Sequence, residues 1–247
     1  MSSSVSPLVP IYDRLVARLD RVSFAPPVAV VYNPLVYAAA PHRIYLQRFG
    51  KKPGRVLFLG MNPGPFGMVQ TGIPFGEVAS VRDWIGIAAP VEVPALQHPK
   101  RLIEGFACRR SEVSGQRLWG LFRELFVTAD RFFDKSFVAN YCPLAFVEEG
   151  GANRIPEKLP AAEREPLFAA CDEALVEVIA ALRPSHVIGI GDFAKKRAEL
   201  VSRRAGLTVP IASILHPSPA SPRANRGWGD EARRMLVDAG LDWAHPG

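Results

Sequence analysis

The chain has 247 residues, 48% of them hydrophobic, enough to bury one substantial core. No run approaches the roughly 20 apolar residues that a membrane-spanning helix needs. The Ser-rich start, Met1 to Pro7, lacks the basic and apolar stretches of a secretory signal, so an intracellular protein is expected. A net charge of +6 favours a polyanionic partner such as nucleic acid, and the pairs Arg109-Arg110, Arg203-Arg204 and Arg233-Arg234 suit two-oxygen contacts with phosphate.

In chain order, the apolar pattern predicts a helix over Pro10–Val22 behind a flexible tail spanning 1–8. Four short apolar segments follow: Val56–Gly60, Phe137–Tyr141, His186–Gly191 and Ile211–Leu215. Each is bounded by Gly, Pro, Asn or His, is rich in Val, Ile or Phe, and is too short for a helix, so each reads as a strand. Helical stretches are predicted over Gln116–Ala129, Pro160–Leu182, Phe193–Ala205 and Gly227–Ala239. Strands that are apolar throughout, alternating with helices, predict an α/β fold with a parallel sheet covered on both faces. Asp192, after the third segment, is expected to cap the helix that follows. There is no internal repeat, long linker or low-complexity tract, so one domain over 1–247 is the simplest organisation.

The stretch Asn62–Pro99 breaks the alternation. It is rich in Gly and Pro and has little periodicity, and long irregular segments in compact domains are usually functional. In open parallel sheets ligands sit beyond the carboxyl ends of the strands. Three strands end there in an amide or an imidazole followed closely by proline: Asn62-Pro63, Asn140 before Cys142-Pro143, and His216-Pro217. Any one alone reads as a turn or a structural group. Their convergence on one face points to a site. The three cysteines, Cys108, Cys142 and Cys171, form no CxxC pair and cannot supply four thiolates, and the five His show no HExxH spacing. No metal, iron–sulfur cluster or other cofactor is expected.

These residues also carry a resemblance. The run from Gly60-Met61-Asn62-Pro63-Gly64-Pro65 through Gln70-Thr71-Gly72 to Pro74-Phe75-Gly76-Glu77 resembles the first motif of the single-strand-selective monofunctional uracil-DNA glycosylases. Val81-Arg82-Asp83-Trp84, His98-Pro99-Lys100-Arg101, Ser111-Glu112-Val113-Ser114-Gly115, Asn140 with Cys142-Pro143-Leu144, and His216-Pro217-Ser218-Pro219 with Ala224-Asn225 and Gly227-Trp228 are similar to that family as well. The resemblance runs from Gly60 to Trp228 and implies an α/β/α sandwich around a four-stranded parallel sheet. It implies a monomeric repair enzyme acting on chromosomal DNA, which hydrolyses the bond between uracil and deoxyribose and leaves an abasic site.

Breaking that bond leaves positive charge on the sugar and negative charge on the base, and water must reach C1′. The resemblance gives His216 to the developing charge on uracil O2. It gives Asn62 to the attacking water, which a neutral amide can aim but not deprotonate. Related uracil glycosylases have an Asp there, so a slower enzyme that leans on leaving-group stabilisation is expected. No Lys stands among the strand-end residues, so lyase chemistry through a Schiff base is not indicated. Asn140 can read N3–H and O4 with one carboxamide, and Phe75 can stack on the flipped base. Met61 is expected to line the same pocket. Gly64 and Pro65 are expected to leave room there, consistent with the family's acceptance of 5-hydroxymethyluracil. The stiff segment Ser218–Asn225, with Ser218, Pro219, Arg223 and Asn225, would hold the duplex open. Asn153 and Arg154, in Gly150–Glu157, match a loop that contacts DNA. The chain departs from the vertebrate pattern at Ala220, where an Arg is usual, and Arg223 and Arg226 stand nearby. Three further readings are weighed: a glycosylase for other deaminated bases such as xanthine or hypoxanthine, a non-catalytic DNA-binding module, and a nucleotide-binding enzyme. The last is the weakest, since neither GxGxxG nor GxxxxGK[ST] follows the first strand.

Overall fold

The computed structural model describes residues 5–244. Helix α1 (Leu8–Leu19) is anchored from Ser6 onward. The Ser6 hydroxyl donates to Gly50 O at 2.9 Å, and Ser6 and Leu8 are fully buried. The expected tail over 1–8 is thereby corrected at its end, and residues 1–4 lie outside the described residues. Strand β1 (Val28–Tyr32) and helices α2 (Pro34–Tyr37) and α3 (Ala39–Phe49) follow, none of them anticipated from the apolar pattern. α3 carries His42, Arg43, Gln47 and Arg48, which blunt its apolar signal.

Strand β2 (Val56–Gly60) matches its predicted bounds. The irregular segment after it contains only a single turn, α4 (Met68–Thr71), and a π-helical turn over Ser80–Ile85. The helix expected over Gln116–Ala129 is two helices, α5 (Val113–Phe126) and α6 (Ala129–Lys135). They are separated where Val127 adopts φ 63° and Thr128 accepts the Arg131 amide. Strands β3 (Ser136–Asn140), β4 (Ala145–Glu148) and β5 (Asn153–Arg154) come next, then helix α7 (Ala161–Leu182). Strand β6 (His186–Ile190), helix α8 (Asp192–Ala205), strand β7 (Ile211–Ile214) and helix α9 (Trp228–Asp238) complete the chain. Asp192 does not cap α8. Gly191 holds the cap position, and Asp192 is the first helical residue, where the free N–H groups favour a negative charge.

Strands β3, β2, β6 and β7 form a four-stranded parallel sheet in that order. β2 and β3 are buried along their whole length, as central strands covered on both faces should be. The smaller antiparallel sheet of β1, β4 and β5 went unseen in the sequence; only β5, with two residues, is shorter than the strands that were read. α8 packs on β6 and β7, α6 on β3 and α9 on β7. Phe122, Phe132 and Trp119 form an aromatic layer against Phe58 of β2, all four fully buried. Truncating any of them to Ala should cost about 3–5 kcal/mol. That layer holds α5 rigidly beside the carboxyl ends of the strands. No helix among the described residues is long and apolar enough to cross a membrane.

Candidate active site

The register of the sheet brings the strand-end residues together. Gly60 pairs directly with Asn140, the Tyr141 amide donates to Gly60 O at 2.9 Å and the Cys142 amide to Met61 O at 2.9 Å. Asn140 therefore ends its strand level with Gly60, and Asn62 follows two residues further on from the neighbouring strand. His216, just beyond β7, is brought in by Gly191. A Cβ at Gly191 would lie 3.2 Å from the His216 Cβ, and Gly191 itself has φ 94°. One cavity of about 500 Å³ is lined by Met61, Asn62, Gly64, Pro65, Phe75, Asn140, Asn153, His216, Ser218 and Pro219. Arg154, Arg223 and Asn225 are not among its walls.

Both amides are oriented by what they touch. The Asn62 NH₂ group donates to Leu144 O at 3.3 Å, and a carbonyl can only accept, so the Asn62 oxygen is turned to the other side. The Asn140 NH₂ group donates to Met68 Sδ at 3.2 Å, and a thioether likewise only accepts. The Asn140 oxygen is buried without any partner. Leaving such an acceptor unpaired costs about 1–3 kcal/mol.

Phe75 is held in a left-handed conformation, φ 53°, uncommon for a bulky residue. Its carbonyl accepts the Trp119 indole N–H at 3.0 Å and the Glu77 amide at 2.7 Å. A Cβ at Gly115 of α5 would sit 2.3 Å from that same carbonyl, so α5 must present a glycine there. The Phe75 and His216 rings lie 6.2 Å apart, on adjoining walls. Burial lowers the pKa of His216 from its ordinary 6.5, so the imidazole is neutral near pH 7.

The Ser218–Asn225 segment is tied back to α5. Arg117 donates to Pro217 O at 3.1 Å, to Ser218 O at 3.4 Å and to the Asn225 side-chain oxygen at 2.8 Å, while the Asn225 NH₂ donates to Pro219 O at 2.9 Å. Arg223 is ion-paired with Glu231, and Arg154 with Glu148 at 2.8 Å. The expectation of room beside Gly64 is corrected. A Cβ there would meet both carboxylate oxygens of Glu112 at 2.3 Å, so that space is filled by a carboxyl group.

Glu112, Met68, Arg117 and Trp119 were missed as site residues in the sequence. Glu112 and Met68 lie inside motif runs, but which way their side chains turn depends on tertiary packing. Arg117 and Trp119 sit on a helix and read there as surface and core. Among the described residues, no three His, Cys, Asp or Glu side chains gather to hold a metal ion.

The sequence model of the uracil DNA glycosylase superfamily matches residues 47–237. The single-strand selective monofunctional uracil DNA glycosylase of Mus musculus is 50% identical over 230 residues, covering 92% of this chain and 82% of its own length. The Bos taurus protein of the same name is 47% identical over 228 residues. A crystal structure of wild-type Pedobacter heparinus SMUG2 shares the fold with a TM-score of 0.65 at 18% identity, covering 94% of this chain and 98% of that one. The chain belongs to the uracil DNA glycosylase superfamily, in its single-strand-selective monofunctional family.

Proposed function

We propose that the cavity takes up a uracil flipped out of DNA and that the chain hydrolyses its bond to deoxyribose. The observation that carries this reading is the buried Asn140 oxygen without a partner, beside an NH₂ group held by Met68. A uracil N3–H supplies the missing donor, and O4 can take the second hydrogen of the NH₂ group. Cytosine has an acceptor at N3 and an amino group at C4, so it would leave both sides unpaired.

Phe75 stacks on the ring and neutral His216 donates to O2. As the C1′–N1 bond breaks, its electron pair leaves on the base, where that hydrogen bond strengthens. Water turned by the Asn62 oxygen joins C1′ through its own oxygen, and its proton ends on the released base. No covalent enzyme intermediate is needed, which fits hydrolysis without lyase action. Ser218 and Pro219, which line the cavity, and Asn225 hold the duplex apart in this reading, and Asn153, Arg154 and Arg223 contact the DNA. The protein acts as a monomer on both single- and double-stranded DNA. 5-Hydroxymethyluracil is a further candidate substrate on the family resemblance: the cavity of about 500 Å³ exceeds the base itself, although Glu112 fills the space beside Gly64.

The test is single-turnover excision on oligonucleotides bearing uracil, 5-hydroxymethyluracil, xanthine or hypoxanthine, single- and double-stranded, with abasic sites revealed by alkali. Uracil should be released from both, and His216→Ala and Asn62→Ala should cut the rate strongly with little loss of DNA binding. Release of purines alone would move the reading to other deaminated bases. Salt-dependent binding with no base release would leave a DNA-binding module.

A further inference from the structure

The reaction as derived leaves one half-buried ionisable wall of the cavity without a role. Glu112 precedes the first turn of α5, yet its side chain does not cap that helix. It turns instead under the loop after β2. One carboxyl oxygen accepts the Phe66 amide at 3.2 Å, and the Gly67 amide bonds to the same group. Both oxygens press against Gly64, and a Cβ at Gly67 would lie 2.8 Å from one of them. The carboxyl is therefore the clamp that shapes the Gly64–Gly67 wall, and it faces the cavity. The Asn140 NH₂ group lies toward Met68, next in the chain after Gly67. A base read by Asn140 thus turns its O4 and C5 edge toward this wall.

A carboxylate there would oppose the reaction, since the departing uracil takes up negative charge in the same low-dielectric space. We infer that Glu112 is a positioning residue that must be protonated for excision: neutral, it clamps the loop and tolerates the uracil anion, whereas ionised, it repels it. The inference rests on the reading of this cavity as the base pocket.

Its surroundings agree. Burial and the nearby carboxylate of Glu77 push the Glu112 pKa up to about 7, against the two backbone amides that favour its anion. Glu77 is buried and engaged by Ser80 and by the Ser111 hydroxyl. The guanidinium groups of Arg101 and Arg110 stack on the Phe66 ring, at 5.4 and 3.9 Å from its centroid. His216, across the cavity, is neutral and offers no countercharge. A bound DNA strand adds phosphate charge and raises the protonated fraction further.

The test is the single-turnover rate on uracil in single-stranded DNA from pH 6 to 9, for the wild type, Glu112→Gln and Glu77→Gln. The quantity read is the ratio of rates at the two ends, which a purely structural role would not move. The wild-type rate should fall about tenfold or more as Glu112 ionises. Glu112→Gln keeps the shape without the charge and should lose that alkaline limb. Glu77→Gln removes the neighbouring charge, and its limb should move to lower pH. An alkaline limb unchanged in Glu112→Gln overturns the inference, as does an unshifted limb in Glu77→Gln should the first variant not fold. Full activity in His216→Ala and Asn140→Ala would instead sink the reading of the pocket itself.

Discussion

The Trp119 indole N–H meets the Phe75 carbonyl at 3.0 Å, and Phe75 holds a left-handed backbone at φ 53°. A helix in the aromatic core thus sets the angle of the ring proposed to stack on the base. Strain of this kind costs about 1–3 kcal/mol and persists only where the surroundings over-determine it. Here Trp119, the Glu77 amide and the absence of a side chain at Gly115 do so together.

Trp119→Phe keeps an aromatic ring in the layer, removes the donor and leaves a small void where the indole was. Stability in urea should fall by about 1–3 kcal/mol. Single-turnover excision should fall about tenfold or more, because the stacking ring is no longer held. A variant that is destabilised but excises at the wild-type rate would separate the indole from the placement of Phe75.

The two faces of the fold differ in how far the sequence reveals them. Val56–Gly60 and the other three strands of its sheet are legible because each is a short, continuous apolar run between turn residues, a pattern with few other readings. Asn62, Asn140 and His216 are legible because each ends such a run. Phe75 depends on the family resemblance, since nothing local separates a stacking ring from a core ring. β1 and β4 are as long as β2 and β7 and were missed all the same, whereas β5 has only two residues and carries no period. The space beside Gly64 was misread for a physical reason: a glycine shows that something comes close, not whether it is a ligand or Glu112.

His42 gives the fold a pH dependence. It is wholly buried in α3, its Nδ1 donates to Gly72 O at 2.8 Å, and its Nε2 has no partner. Burial lowers its pKa to about 4 from the ordinary 6.5. Between those values the unfolded chain binds a proton that the folded chain refuses, so stability rises with pH across that window and is lost on acidification. The loss should reach roughly 3 kcal/mol near pH 4. Urea unfolding of the wild type and His42→Gln at pH 6.5 and pH 4.5 checks this. The variant should show a visibly smaller drop, and equal drops would assign the acid sensitivity to other groups.

Met68 carries the prediction on specificity. Its sulfur holds the Asn140 NH₂ group at 3.2 Å and cannot accommodate a flipped amide, because neither sulfur nor oxygen has a proton to share. Met68→Leu keeps the volume and drops the acceptor. Uracil excision should fall less than tenfold, since one such bond is worth about 0.5–1.5 kcal/mol. The preference for uracil over cytosine should narrow by a comparable factor, because the amide can then present its NH₂ group toward N3. Competition between matched oligonucleotides bearing each base measures the ratio. An unchanged ratio would mean that the amide is locked from elsewhere.

Arg117 should govern how firmly the proposed duplex wedge stands. A single guanidinium spans Pro217 O, Ser218 O and the Asn225 side chain, and so ties both ends of the segment to α5. A planar fork can do this and an ammonium cannot, so Arg117→Lys should be nearly as damaging as Arg117→Met. The losses should be unequal across substrates. In a single strand the base needs no unpairing, and excision should fall only a few-fold. In a duplex the wedge must offset unstacking and unpairing worth a few kcal/mol, so the drop should be about tenfold larger. Rates for the two variants on uracil in single- and double-stranded DNA of one sequence decide the matter. A loss equal on both substrates would mean that Arg117 supports His216 rather than the wedge, since Pro217, whose carbonyl Arg117 holds, is the residue after that imidazole.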